Sequence, residues 1–194
     1  MRTKKQDLIN EGSLRPDELK KTMLNRLSGK DYTGSTLGEF ENAVRRNSYE
    51  TVAAVGEDGK VFFSKVGESS RVGMTGAETK QLTNVNAIMS HNHPSGSSLS
   101  VTDIKTASNL NAKEIRAVGS EYSYSMIRPD DGWPSVSQID TVHRKYERIV
   151  RDKYTKLFSQ GKITKSQFNM GASHEIMLGV SNDLGIMYKK ERVW

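Results

Sequence analysis

Apolar residues recur along this chain with two different periods, and the change of period divides it into three parts. In the first, Leu19, Met23, Leu24 and Leu27 fall at helical spacing. They follow Leu14-Arg15-Pro16-Asp17-Glu18, where a Pro and two acids mark a first turn. A second helix is expected from a cap at Ser35 or Thr36, with Leu37, Phe40, Ala43 and Val44 as its apolar stripe. The period then shortens to two. Glu50 to Val55 and Val61 to Val66 read as strands joined across Asp58-Gly59, a hairpin signal. Arg71 to Met74 reads as a third short strand, and Ala77 to Leu82 as a short helix entered from Thr75. The apolar strand Ala87 to Ser90 runs into His91-Asn92-His93-Pro94-Ser95-Gly96, and Ser100 caps a helix from Val101 to about Asn111. Glu114 to Val118 and Tyr122 to Ile127 read as two more strands. After a loop holding Trp133, the helical period returns over Val136 to Leu157 and again over Thr164 to Asn182, with Ser159-Gln160-Gly161 between them.

This order predicts an α/β core over residues 36–130, flanked by helical extensions at 1–35 and 131–194. Hydrophobic residues make up only 35% of the chain and the mean hydropathy is −0.65, so much of it is expected to be solvated helix or polar loop. Cysteine is absent, which excludes disulfide scaffolds, thiolate metal sites and a cysteine nucleophile. No apolar run approaches the ~18 residues of a membrane span, and Met1 to Asp7 lacks the apolar stretch of a secretory signal. A soluble, cytoplasmic protein is the expectation. The net charge is +6, with both ends basic and the middle mildly acidic. Arg144, Lys145, Arg148, Arg151 and Lys156 load one helix with positive charge, a pattern of solvated faces and also of polyanion partners.

Chemistry concentrates in thirteen residues. His91 and His93 stand two apart at a strand end, where alternate side chains share a side. Asp103 follows in the first turn of a helix capped by Ser100. Two imidazoles and one carboxylate suit zinc, with a fourth tetrahedral position left for water. Taken singly, the elements are ordinary: His-x-His is common on surfaces, and Ser100-x-x-Asp103 is also a plain helix-capping pattern. The remaining histidines, His143 and His174, lie on the late helices without His-Glu-x-x-His spacing and read as structural or surface residues. Tyr122, Tyr124 and Trp133 read either as packing or as a wall for an extended peptide.

The run His91-Asn92-His93-Pro94-Ser95-Gly96 with Ser100-Val101-Thr102-Asp103 resembles the signature of the JAMM (MPN+, JAB-domain) zinc metalloproteases, above all its RadC-like and phage-encoded branches. The interval from His93 to Ser100 is seven positions, one shorter than the family's usual eight. The resemblance implies an MPN-like, cytidine-deaminase-like mixed sheet with flanking helices. It implies His91, His93 and Asp103 as zinc ligands, Ser100 as a group on the substrate carbonyl, and an upstream Glu as general base. Glu50 is the acid at a strand start that matches this placement; Glu39, Glu41, Glu57, Glu68 and Glu78 are the others. The activity implied is hydrolysis of a peptide or isopeptide bond by a metal-activated water. The alternative is a phage structural or assembly protein that keeps the fold and binds protein or nucleic acid without catalysis.

Overall fold

Residues 30–193 are described in the computed structural model, and the helix expected over Leu14 to Leu27 lies outside them. From Tyr32 onward the chain forms one unit. Its element order is α1 (Leu37–Val44), β1 (Thr51–Val55), β2 (Val61–Val66), α2 (Gly76–Leu82), β3 (Ile88–Asn92), α3 (Val101–Leu110), β4 (Glu114–Val118), β5 (Tyr122–Ile127), α4 (Val136–Ser159), α5 (Lys165–Leu184) and β6 (Met187–Arg192). Each of these helices opens on the same device. Thr36, Thr75, Ser100, Ser135 and Thr164 accept a backbone N–H three residues on, and Glu39, Glu78, Asp103, Gln138 and Gln167 reach back to the cap N–H. The Ser/Thr-x-x-acid/amide spacing thus satisfies two otherwise orphaned donors at every helix start.

The six strands make a mixed sheet in the order β2-β1-β3-β4-β5-β6. Only β3 and β4 run parallel, and the connection between them is α3, the crossover that a parallel pair requires. Alternation along each strand sorts side chains to two faces. Ala53 and Val55 of β1 join Phe40 and Val44 of α1 in a small core on one face. Val52, Ala54, Met89, Ile115, Ala117, Tyr124 and Met126 turn to the other face, where Ile104, Ile139, Val150, Ile176 and Val180 of α3, α4 and α5 cover them. The sheet is therefore a middle layer between α1 and the three later helices.

Two expectations are corrected. Arg71 to Met74 forms no strand; the Glu68 N–H donates to the Arg71 carbonyl, so the segment folds back on itself instead of extending the sheet. Residues 131–194 are no helical extension. Strand β6 pairs with β5 from Tyr122↔Arg192 to Ile127↔Met187, and α4 and α5 supply much of the main core. Its sequence, Met-Tyr-Lys-Lys-Glu-Arg, carries the charges typical of an exposed edge strand and little apolar period. A fragment ending at residue 130 would leave Tyr124, Met126, Ile104 and Ala107 without their cover. It is expected to show no cooperative thermal transition by circular dichroism. A sharp transition would mean that the first five strands stand alone.

Helices α4 and α5 pack so closely that Gly179 has no room for a side chain: a Cβ there would lie 2.3 Å from Tyr146 Cδ1. Gly179→Ala gains about 1 kcal/mol of helix propensity but overpacks this contact, at a cost of about 1–3 kcal/mol. A net loss of stability in chemical denaturation is the expected result, and a gain would show that the Tyr146 ring moves aside freely.

Candidate metal centre

The site forms where β3 ends against the start of α3. His91 faces the main core side of the sheet, as do Met89 before it and Val52 opposite it on β1. His93 lies just beyond the strand and keeps the same side, so the two rings meet edge to face with centroids 4.6 Å apart. Their Nε2 atoms are 2.9 Å apart. Asp103 reaches both from α3, with Oδ1 3.3 Å from His91 Nε2 and Oδ2 3.6 Å from His93 Nε2. Asp103 also serves its own helix, since Oδ2 accepts the Ser100 N–H at 2.6 Å. Capping and convergence on the histidines are thus two uses of one carboxylate. The turn after His93 seats itself through Gly96, at φ +70°, whose Cα would lie 3.0 Å from a Cβ on Gly119 at the end of β4.

Both rings are held from behind. His93 Nδ1 donates to the carbonyls of Ser97 (3.1 Å) and Ser98 (3.0 Å). The Arg116 backbone on β4 favours the protonated form of His91. Such outer contacts fix the proton on Nδ1 and turn Nε2 toward the shared point. On the far face of the sheet the Arg116 guanidinium is locked by Glu41 at 2.6 Å and Glu114 at 2.8 Å, and Glu41 also accepts the Ser90 hydroxyl. That network steadies β3 and β4 directly behind the histidines.

The electrostatics favour a cation at the meeting point. Burial opposes charge on His91, but the attraction and hydrogen bond of Asp103, with help from Glu50 and the Arg116 carbonyl, outweigh it and raise the His91 pKa. Burial and the neighbouring His91 lower that of His93. Burial alone would raise Asp103; the His91 charge and hydrogen bond, with His93 and the Ser100 N–H, hold it far below the usual carboxylate range instead. The site thus attracts positive charge at the point where the His91 and His93 Nε2 atoms and the Asp103 carboxylate meet. These three residues form a group of potential metal ligands. Their donor separations of 2.9, 3.3 and 3.6 Å bracket the roughly 3.3 Å edge of a tetrahedron with zinc–nitrogen bonds of about 2.0 Å. The donor set fits zinc.

These three residues open into a cavity of about 540 Å³ that Glu50 and Ser100 also line. Val52, Val72, Met74, Met89 and Ile115 make its apolar side, and Pro94, Ser95, Ser97, Thr102 and Thr106 add to the rest. Glu50 is 9% exposed, and burial raises its pKa, with Asp103 adding to the rise and His91 opposing it. The other acids stand elsewhere. Glu39 and Glu78 cap helices, Glu41 pairs with Arg116, Glu57 accepts from Asn86 and Glu68 faces Arg71. Ser100 Oγ accepts the Asp103 N–H at 3.3 Å.

Five contributors, in three places, are not visible in the sequence. Asn92, fully buried between the two histidines, turns to the backbone around Glu50: its Oδ1 accepts the Thr51 N–H at 2.7 Å and its Nδ2 donates to the Tyr49 carbonyl at 3.0 Å. Its position, out of phase with His91 and His93, was the available signal. The Ser97 and Ser98 carbonyls left no signal, because any residue supplies a carbonyl. Tyr188, bonded to the Ser98 hydroxyl, and His174, bonded to Tyr188, come from the segment expected to be an extension.

The remaining candidates have plain roles. Tyr124 is 1% exposed, so it belongs to the core rather than to a peptide-binding wall, and Trp133 donates to the Ala112 carbonyl. His143 lies beside Glu147 on α4, and Lys145, Arg151 and Lys153 pair with Asp183, Glu147 and Glu175. No helix among the described residues is long and apolar enough to cross a membrane. Comparison of the chain with protein-family models, with curated proteins and with solved structures gives no match, so its chemistry is read from the residues themselves.

Proposed function

We propose that this protein is a zinc-dependent peptidase or isopeptidase on an MPN-like core. The observation that carries the reading is the meeting of His91, His93 and Asp103 at one point, in a cavity that also holds the buried Glu50. The resemblance of the His91–Asp103 stretch to JAMM metalloproteases supports the same conclusion. A zinc ion on these ligands supplies a Lewis acid and a water acidified toward a pKa of about 7.

The chain's own groups divide the remaining work. Glu50 takes the proton of the attacking water and returns it to the departing amine; its raised pKa brings it toward the range where one carboxyl does both. Ser100 already accepts the Asp103 N–H, which leaves its hydroxyl proton for the oxyanion formed at the scissile carbonyl. The apolar side of the cavity, from Val52 to Ile115, receives substrate side chains next to that carbonyl. A peptide or protein segment is thus the substrate class.

The test is metal analysis of the purified full chain, followed by mass-spectrometric screening of peptide and isopeptide libraries. One zinc per chain, with cleavage that stops on chelation and returns with zinc, is the expected outcome. A protein that takes up no zinc at neutral pH would end the proposal.

A further inference from the structure

The second imidazole is steadied by parts of the chain remote from it in sequence. Ser98 holds His93 through its carbonyl, and Ser98 is itself held at two other atoms. Its N–H donates to Ser173 Oγ on α5 at 3.0 Å. Its hydroxyl lies 2.7 Å from the Tyr188 hydroxyl on β6. The Tyr188 oxygen lies in turn 2.9 Å from His174 Nδ1 on α5. Burial lowers the pKa of His174 and raises that of Tyr188, so the ring and the phenol are both neutral near pH 7. Ser98 Oγ, Tyr188 Oη and His174 Nδ1 thus form one continuous chain of hydrogen bonds between neutral groups. Ser98 is 1% exposed, and the Tyr188 ring stacks on the buried Tyr124 at 8° between planes, so the tyrosine hydroxyl has a fixed position.

We infer that Tyr188 is a positioning residue for the metal ligand His93. It acts through Ser98, making β6 and α5 part of the site's support. The inference rests on the proposed zinc site for its effect on metal binding, but not for its effect on the His93 ring. The fold explains why the support is needed. His91 sits within β3, opposite Ala117 on the adjoining strand β4, so the sheet itself fixes its backbone. His93 lies past the strand end, and its carbonyl partners belong to the irregular run between β3 and α3. That run is tied to the sheet at His93, whose N–H donates to the Val118 carbonyl, and buried at Leu99, while its middle at Ser98 is fixed by α5 and β6. Partners of metal-bound imidazoles are worth about 10–100-fold in metal affinity.

The test compares the full chain with Tyr188→Phe, which keeps the stacked ring and removes only the oxygen. Ser98→Ala breaks the same contact from its other end and keeps the Ser98 carbonyl. Side-chain nitrogen NMR on the metal-free proteins reads the protonation pattern of each imidazole, and competition against a chelator reads zinc affinity. In the native protein His93 should carry its proton on Nδ1. In both variants its signals should broaden or shift toward a mixture, while His91, within β3, stays unchanged. Zinc affinity should fall in either variant by up to about 10-fold, the low end of what losing a direct partner costs, and the double variant should lose no more than the worse single one. A general loss of stability would disturb both rings alike, so the selective response of His93 is the decisive reading. If the native protein binds no zinc but His93 alone responds, the positioning role stands and the zinc reading falls. Unchanged His93 signals in both variants would overturn the positioning role, whatever the zinc result.

Discussion

His91→Ala and Asp103→Ala should each abolish stoichiometric zinc binding, with an affinity loss larger than the 10–100-fold typical of an outer partner. The two variants differ in what else they remove, and the difference checks the assignment. Asp103 also closes the capping box of α3, so its loss should lower the stability of the metal-free protein by about 0.3–1.5 kcal/mol. His91 caps nothing. Its removal deletes a buried ring from the end of β3 and leaves the Ser100–Asp103 cap intact. The native affinity should also depend on pH with a definite sign. Metal binding needs a neutral His91, whose pKa Asp103 and Glu50 raise above the ordinary histidine value against the effect of burial. Affinity should therefore climb as pH rises through neutrality and level off once His91 is neutral. Asp103 is ionised throughout that range and contributes no slope. Isothermal titration at several pH values measures both features. Full zinc occupancy in either variant, or affinity that falls as pH rises through neutrality, would remove these residues from the ligand set.

The meeting of His91, His93 and Asp103 was legible because its geometry is local. A period-two strand places His91 and His93 on one side, and a capped helix start ten residues on places a carboxylate within reach. The helices and the first five strands were legible for the same reason: each carries its own period and its own Ser/Thr cap. What escaped was non-local or uncharacteristic. Strand β6 has almost no apolar alternation, because an edge strand shows one polar side to water and protects itself with Lys189, Lys190 and Arg192. Arg71 to Met74 had the residue types of a strand, yet the Glu68–Arg71 hydrogen bond turned it into cavity wall. Tyr188 and His174 became part of the site only through the pairing of β6 with β5, a contact between segments about 65 residues apart, and no periodicity announces such a pairing. The supports of the two imidazoles are backbone carbonyls, for which sequence has no letter.

Glu50→Gln should leave zinc bound and lower kcat by about 10²–10⁴-fold, the contribution of a positioned general base. The argument begins with the backbone. Asn92 accepts the N–H after Glu50 and donates to the carbonyl before it, and the Glu50 N–H and carbonyl bond to Glu68 and Gly67. The main chain at Glu50 is thus fixed on both sides, and an amide of nearly equal size leaves those bonds untouched. Glutamine has no basic oxygen near neutral pH, so the attacking water loses its acceptor and the departing amine its donor. Because these proton transfers belong to the transition state, the loss should appear in kcat and kcat/KM together, with KM little changed. Removing Glu50 also removes a negative group that raises the His91 pKa. Zinc then displaces the His91 proton slightly more easily, so the metal affinity of the variant near neutral pH should hold despite the lost charge. The pH profile gives the sharper reading. Native activity should rise with a pKa above the usual glutamate value, set by burial and by Asp103, and the residual activity of the variant should lack that limb. A variant that keeps both its zinc and its full rate on a substrate cleaved by the native chain would remove Glu50 from the chemistry. The carboxylate would then be an electrostatic neighbour of the ligands rather than the base.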